Sequence, residues 1–224
     1  MAKIFSIIKI LLEINLLKTL YFNFHYLPLD KALVLPILIY KGTKLNKMRG
    51  RVVLYNAKFG LIRIGKYGVG TLDIKYNRTI WQNDGTVVFN GSANIGSGTK
   101  ISVNNGGIVS FGDKFCITGA STIICSKQIE FGSECLLSWD ILIMDTDFHR
   151  IINTEGKTIN ESKPIRIGDH VWIGCRNTIL KGVNICNDVV IAAGSKISKD
   201  IVAPYCIVGG ENQKILKENV KWSM

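Results

Sequence analysis

Through the C-terminal third an aliphatic residue returns at every sixth position: Ile167, Ile173, Ile179, Ile185, Ile191 and Ile197. An α-helix repeats near 3.6 residues and a half-buried strand at two, so a period of six is three strand alternations. The pattern predicts a coil of short strands. Each six-residue unit turns one corner of a triangular prism, and each anchor points into the shared axis. Four residues after each anchor stand Val171, Asn177, Val183, Val189, Ser195 and Ile201, mostly small or branched, as a second inward position requires.

Upstream the repeat is less regular. Phe111, Ile117, Ile123 and Ile129 keep the six-residue step, then the phase slips by two to Phe131, Leu137 and Ile143, which predicts a bulged corner. Residues 66 to 86 hold no clear phase. Apolar–Gly pairs recur at Ile64-Gly65, Ile95-Gly96, Phe111-Gly112, Phe131-Gly132, Ile167-Gly168 and Ile173-Gly174. Glycine there suits corners whose torsions leave the common regions.

Between Ile143 and Ile165 the period vanishes, and residues 144 to 164 must leave the stack as a protruding loop. Such loops are where function concentrates. Three parts follow: a helical, apolar lead-in over 1–50, a coil over 51–210 with its excursion loop 144–164, and a basic tail over 211–224 read as a short helix.

The lead-in places Ile7, Ile10, Leu11, Ile14 and Leu17 at helical spacing. Lys9, Glu13 and Lys18 interrupt its apolar run before it reaches the ~20 residues of a spanning helix. No small-residue cleavage site follows, so a secretory leader is not expected. The helix packs on the coil or a partner subunit, or rests on the inner face of a membrane with its lysines near acidic lipids. Pro36, within Ala32 to Ile39, argues against a central paired strand there.

Charge and cysteine narrow the setting. A net charge of +11, from 28 Lys+Arg against 17 Asp+Glu, favours anionic partners. The basic residues are scattered, with no nucleic-acid-binding signature. The six cysteines show no metal-binding spacing and lie in the repeats, where a thiol behaves as a small hydrophobe. A reduced, cytoplasmic setting follows.

The segments Ile167-Gly168-Asp169-His170-Val171-Trp172-Ile173-Gly174 and Ile191-Ala192-Ala193-Gly194-Ser195, with Ser198-Lys199-Asp200 and Val208-Gly209-Gly210, resemble the hexapeptide-repeat acyltransferases. Asp145-Thr146-Asp147-Phe148-His149 is similar to the loop of sugar O-acetyltransferases from capsule and surface-polysaccharide pathways. The resemblance covers roughly residues 87 to 215. It implies an all-β, left-handed parallel β-helix, a handedness the period alone does not give. It also implies an acetyl-CoA-dependent transferase working as a homotrimer, with sites between neighbouring prisms and no metal.

Acetyl transfer to a hydroxyl needs a base for its proton and two substrates held in line. Of the three histidines, His149 on the excursion loop suits the base, with Asp145 or Asp147 to orient its ring. His170 reads as an outward strand residue and His25 as structural. Trp172 reads as a wall of the cofactor channel or as covered by a neighbouring subunit. The backbone near Gly174 and Cys175 is a candidate contact for the acetyl end of coenzyme A.

By resemblance, Ala193 would meet the pantetheine arm, and Lys199, Lys214 and Lys217 its phosphates. The chain departs from the family at Glu211-Asn212-Gln213, where an Asn-Pro pair is common, which bears on the course of the tail. Trp139 and Asp140 precede the loop and are candidates for the acceptor pocket. Three alternatives stand beside this reading. They are an N-acetyltransferase acting on an amino sugar, a γ-class carbonic anhydrase, which needs three imidazoles around zinc, and a non-catalytic scaffold.

Overall fold

The structure, a computed structural model, describes residue 10 and residues 12–66, 68–73, 75–210 and 212–223. Its described strands stack into three sheets of nine, seven and six strands, parallel throughout but for the last strand of the first, with the chain passing from sheet to sheet at each corner. The fold is the left-handed parallel β-helix. The six-residue ladder runs down its axis: Ile167, Ile173, Ile179, Ile185, Ile191 and Ile197 are all at most 3% exposed. The second inward set, Val171 through Ile201, is buried with it. Three hexads make one turn, so Trp172 pairs with Val190 and Ile173 with Ile191 on the next turn.

Higher up the column the turns are wider, and the phase slip arises there without a bulged corner. In β11 (Thr122–Cys125) a further inward residue, Cys125, follows Ile123, and β12 (Gln128–Phe131) buries both Ile129 and Phe131. The extra residues lengthen the strand instead of distorting the turn. The wider interior is filled by Phe89, Phe111 and Phe131, whose rings stack at 5.2 and 5.4 Å.

The glycines after apolar anchors have a different cause from the one the sequence suggests. Of the six, only Gly65 has a positive φ, at 87°. A Cβ on Gly112 would lie 2.3 Å from the backbone of Gly132, and one on Gly132 would lie 2.5 Å from that of Gly168. These positions are glycine because successive coils touch backbone to backbone. The left-handed torsion falls two residues later, at Lys114, Glu134, His170 and Arg176.

Both ends depart from expectation. The coil already includes two strands drawn from the lead-in, β1 (Ile37–Ile39), paired with β4 (Ile62–Ile64), and β2 (Thr43–Met48), paired with β5 (Thr79–Asn83). Pro36 is compatible with this because β1 is an edge strand. Helix α1 (Leu16–Tyr26) covers that edge and runs six residues past Leu20. Asn15 caps it, accepting from Lys18 N at 3.0 Å.

The helix serves the strand through polar groups. Thr19 Oγ1 accepts from Ile39 N, and Asn23 accepts from Ile37 N while donating to Ile37 O. Phe22 plugs the coil mouth edge-on to Trp81, which donates to the Tyr26 hydroxyl. Burial pushes that phenol's pKa up. Ile14 is buried as its spacing predicts, whereas Leu17 is 79% exposed; Ile7 and Leu11 lie outside the described residues.

The tail is not a helix. β22 (Lys214–Glu218) runs antiparallel to β21 (Cys206–Gly209), closing the last sheet. Alternating residues in an extended strand bind the exposed edge that a solenoid must cover.

Candidate functional site

The excursion loop leaves after β14 (Leu142–Met144) and returns at β15 (Ile165–Ile167). It folds on itself as a hairpin. Ile152 bridges Thr158, and Gly156, at φ 82°, makes the turn. The Asn153 carboxamide accepts from the backbone N–H of Glu155 and Lys157. Asn160 ties the hairpin to its base. Its Nδ2 donates to Asp147 Oδ2 and to the His149 carbonyl, both at 2.8 Å, and its Oδ1 accepts from Ile151 N at 2.7 Å.

Lys181, on the coil below, donates to Asp147 and to the Asn160 carbonyl, the latter at 2.7 Å. These hydrogen bonds from Lys181 and Asn160 hold the Asp147 carboxyl below the usual carboxylate range. The outcome is a cleft of about 320 Å³ lined by Thr146 to Arg150, Thr158, Asn160, Glu161 and Ser162, with His149 exposed on its wall.

The two aspartates do separate jobs, and neither holds the imidazole. Asp145 is fully buried. Its carboxylate accepts from the backbone N–H of Ser126, Lys127 and Gln128 at 2.7–2.8 Å, and from Cys125 Sγ at 3.4 Å. It closes the extra inward column that Val103 and Cys125 open, so it serves the turn and not the ring. Burial and that carboxylate push the Cys125 thiol far up. Among the described residues no group hydrogen-bonds the His149 imidazole. The Asp147 backbone carbonyl accepts from His149 N at 2.7 Å, which fixes the residue's backbone instead.

A second cluster forms on the sheet of β16 (Trp172–Ile173). Trp172 is 36% exposed and donates to Ser138 Oγ at 3.3 Å. Gly174 backs onto Ala193, where a Cβ would stand 2.8 Å from Ala193 N. Its N–H donates to Ile191 O at 2.9 Å. Cys175 is half-buried and its carbonyl accepts from Gly194 N. Beneath this surface the buried residues Asn177 and Ser195 link Gly174, Ala192 and Gly210 through hydrogen bonds.

Gln213 occupies the site of the family departure. Its side chain accepts from the N–H of Ser198 and Lys199 and donates to the Lys199 carbonyl. That fastens Lys199 next to Lys214, and both are exposed, as is Lys217 further along the same strand. Glu211 lies outside the described residues.

His170 is a corner residue at φ 53°, not a strand residue, and its Nδ1 lies 2.9 Å from Asp188 Oδ1. Trp139 is half-buried and Asp140 exposed at the next corner; neither lines the cleft of His149. Asn160, Lys181 and Trp222 carry contacts that no spacing announced. A separate groove of about 500 Å³, lined by Lys58, Arg63, Asn94, Lys114 and Cys116 among others, lies on the sheet that also carries Trp172.

A corner-and-ladder coil with an ordered excursion hairpin that carries a histidine defines the class: a hexapeptide-repeat left-handed β-helix. The family pattern described as "Bacterial transferase hexapeptide (six repeats)" matches residues 164–199. The polysialic acid O-acetyltransferase of Neisseria meningitidis is 41% identical over 105 residues, covering 46% of this chain and 49% of that protein. The polysialic acid O-acetyltransferase of Escherichia coli O1:K1 is 31% identical over 125 residues, covering 55% and 40%. The chain thus spans half or less of the length of these relatives. The crystal structure of the polySia-specific acetyltransferase NeuO superposes with a TM-score of 0.63 at 23% identity, covering 81% of this chain and 72% of that one, which speaks to fold alone.

Proposed function

We propose that the chain is an acetyl-CoA-dependent O-acetyltransferase acting on a sugar hydroxyl, in the synthesis of a capsule or other surface polysaccharide, with His149 as general base. The observation that carries this reading is the hairpin itself. Asn160, Asp147 and Lys181 hold the His149 backbone while its ring stays exposed on a polar cleft. A histidine so presented takes the proton of a bound hydroxyl as its oxygen attacks the thioester carbonyl. The C–S bond then breaks, and the imidazolium returns the proton to the departing thiolate.

The strip Trp172, Gly174, Cys175 and Ala193 suits the pantetheine arm. Beyond Trp172 it is built of small residues, and Gly194 beside it has open space around it. Lys199 and Lys214 stand at its end as mobile point charges for phosphates. Exposed Phe148, Ile151, Ile152 and Ile159 on the hairpin support a homotrimer in which each loop reaches a neighbouring prism. The cationic groove of Lys58, Arg63 and Lys114 favours an acidic glycan as acceptor, in keeping with the polysialic acid named for the relatives.

The test is transfer from acetyl-CoA to an acidic oligosaccharide by the intact protein and by His149→Ala. Loss of about 10²–10⁴-fold in kcat with acetyl-CoA binding retained is expected. Unchanged transfer by the variant overturns the assignment.

A further inference from the structure

Helix α1 is amphipathic the wrong way round for a helix that only closes a coil. Thr19, Phe22, Asn23 and Tyr26 form the face on β1 and the coil mouth. On the opposite arc stand Leu16, Leu17, Leu20, Tyr21 and Phe24, spaced i, i+1, i+4, i+5 and i+8, and all but half-buried Leu20 are exposed. Leu12 before the helix and Leu29, Leu33 and Val34 just after it are exposed as well. An apolar area of this kind marks an interaction surface.

Its rim is positive. The cap, residues 12–51, carries seven Lys or Arg against two carboxylates, Glu13 and Asp30. β2 runs along one flank of the helix: Lys18 Nζ donates to the Thr43 carbonyl at one end, and His25 Nε2 lies 2.5 Å from the Met48 carbonyl at the other. That strand and its continuation set Lys44, Lys47, Arg49 and Arg51 exposed beside the apolar arc. Lys47 alone of these has an acidic neighbour, Asp84 at 3.7 Å.

A second copy docked through this face by a dyad would press one cationic rim against another. An anionic bilayer answers both features, taking leucines and aromatics at the headgroup boundary and neutralising the lysines around them. No helix among the described residues is long and apolar enough to cross a membrane, so contact here is along the surface. We infer that the outer face of α1, with its basic flank, docks the N-terminal end of the column onto an anionic lipid surface. This does not depend on the proposed reaction.

The experiment is co-sedimentation of the full chain with vesicles of phosphatidylglycerol and phosphatidylcholine, and of phosphatidylcholine alone, at low and high salt. Partition onto the anionic vesicles is expected to exceed that onto the neutral ones by about ten-fold or more, and to fall with salt. The double variant Leu17→Asp/Tyr21→Asp lowers it by about ten-fold or more, and Lys44→Glu/Arg49→Glu removes the salt dependence. Both variants keep the thermal midpoint of the coil, because these side chains lie outside it, and transfer to a soluble acceptor stays at the wild-type rate.

Absence of wild-type binding, or undiminished binding by the aspartate variant, overturns the inference. So does a concentration-dependent doubling of mass that the aspartate variant abolishes, which would assign the face to a second copy.

Discussion

Trp222 lies flat on the ring of His170, centroids 4.3 Å apart and planes 6° from parallel, and donates its indole N–H to the His170 carbonyl at 3.0 Å. Its ring centroid also lies 5.9 Å from that of Trp172, with the planes tilted by 43°. The last residues thus return across the corner of an earlier turn and lie against Trp172. Trp222→Ala removes the stack and the hydrogen bond together, a loss of about 1–2 kcal/mol. Faster proteolysis near Lys221 and greater solvent quenching of Trp172 fluorescence are expected. If the proposed strip for coenzyme A is right, KM for acetyl-CoA rises more than kcat falls.

Asp145 illustrates how a motif residue can be read for the wrong job. Asp145→Ala leaves three part-buried backbone N–H groups of the Ser126–Gln128 turn without their charged acceptor, which costs about 2–3 kcal/mol. Asp145→Asn costs less, since its one carbonyl oxygen still accepts. Calorimetric unfolding of both variants checks the order. Equal stability of Asp145→Ala and wild type would show that the turn does not depend on the carboxylate.

What the sequence could and could not convey follows from the range of each interaction. The ladder Ile167 to Ile197 was legible because every turn repeats the same local environment, so burial prints itself as a period. The existence of an excursion loop was legible too, as a break in that period. Its wiring was not: Asn160 and Lys181 meet Asp147 across 13 and 34 residues, and no periodicity encodes such a contact. The tail failed for a related reason. Lys214 to Glu218 has helix-forming composition, and only the open edge of β21 selects the strand. In α1 the face on the coil is built partly of the buried polar residues Thr19 and Asn23, so apolar spacing located Ile14 but not Leu17.

Asn160→Ala tests the hairpin wiring apart from the coil. It removes the donor shared by Asp147 and the His149 carbonyl while leaving the ladder intact. The thermal midpoint should move little, whereas acetyl transfer should fall by roughly 10–100-fold as the His149 position loosens. Asn160→Asp, which keeps the acceptor for Ile151 N but loses the donor, should behave like Ala. A variant that unfolds with the coil would contradict the separation.

The Asp147–Lys181 contact carries a pH signature. The carboxyl is held below its unfolded value of about 3.9, so its contribution is full above that value and is lost as pH falls through the lower folded pKa. Both groups are near solvent, which keeps the effect small. Cleavage of the hairpin by an acid-active protease should be flat from pH 7 to about 4 and rise below. Lys181→Met should move the onset upward. Loosening between pH 5 and 8 would require another titrating group.

Gly132 and Gly156 separate two reasons for glycine. At Gly132 an added Cβ would stand 2.5 Å from the Gly168 backbone, so Gly132→Ala forces adjacent coils apart. At Gly156 there is open space, and only the φ of 82° opposes a side chain. Overpacking against backbone costs about 3 kcal/mol, because the neighbouring coil is itself locked in the sheet ladder. The left-handed torsion costs about 1 kcal/mol, confined to a surface turn. Gly132→Ala should therefore lower the midpoint of the whole column, and Gly156→Ala should alter only hairpin proteolysis. Gly156→Asn, which tolerates that torsion, should restore the wild-type pattern. Comparable midpoints for Gly132→Ala and wild type would mean that the coils are spaced more loosely than their backbone contacts require.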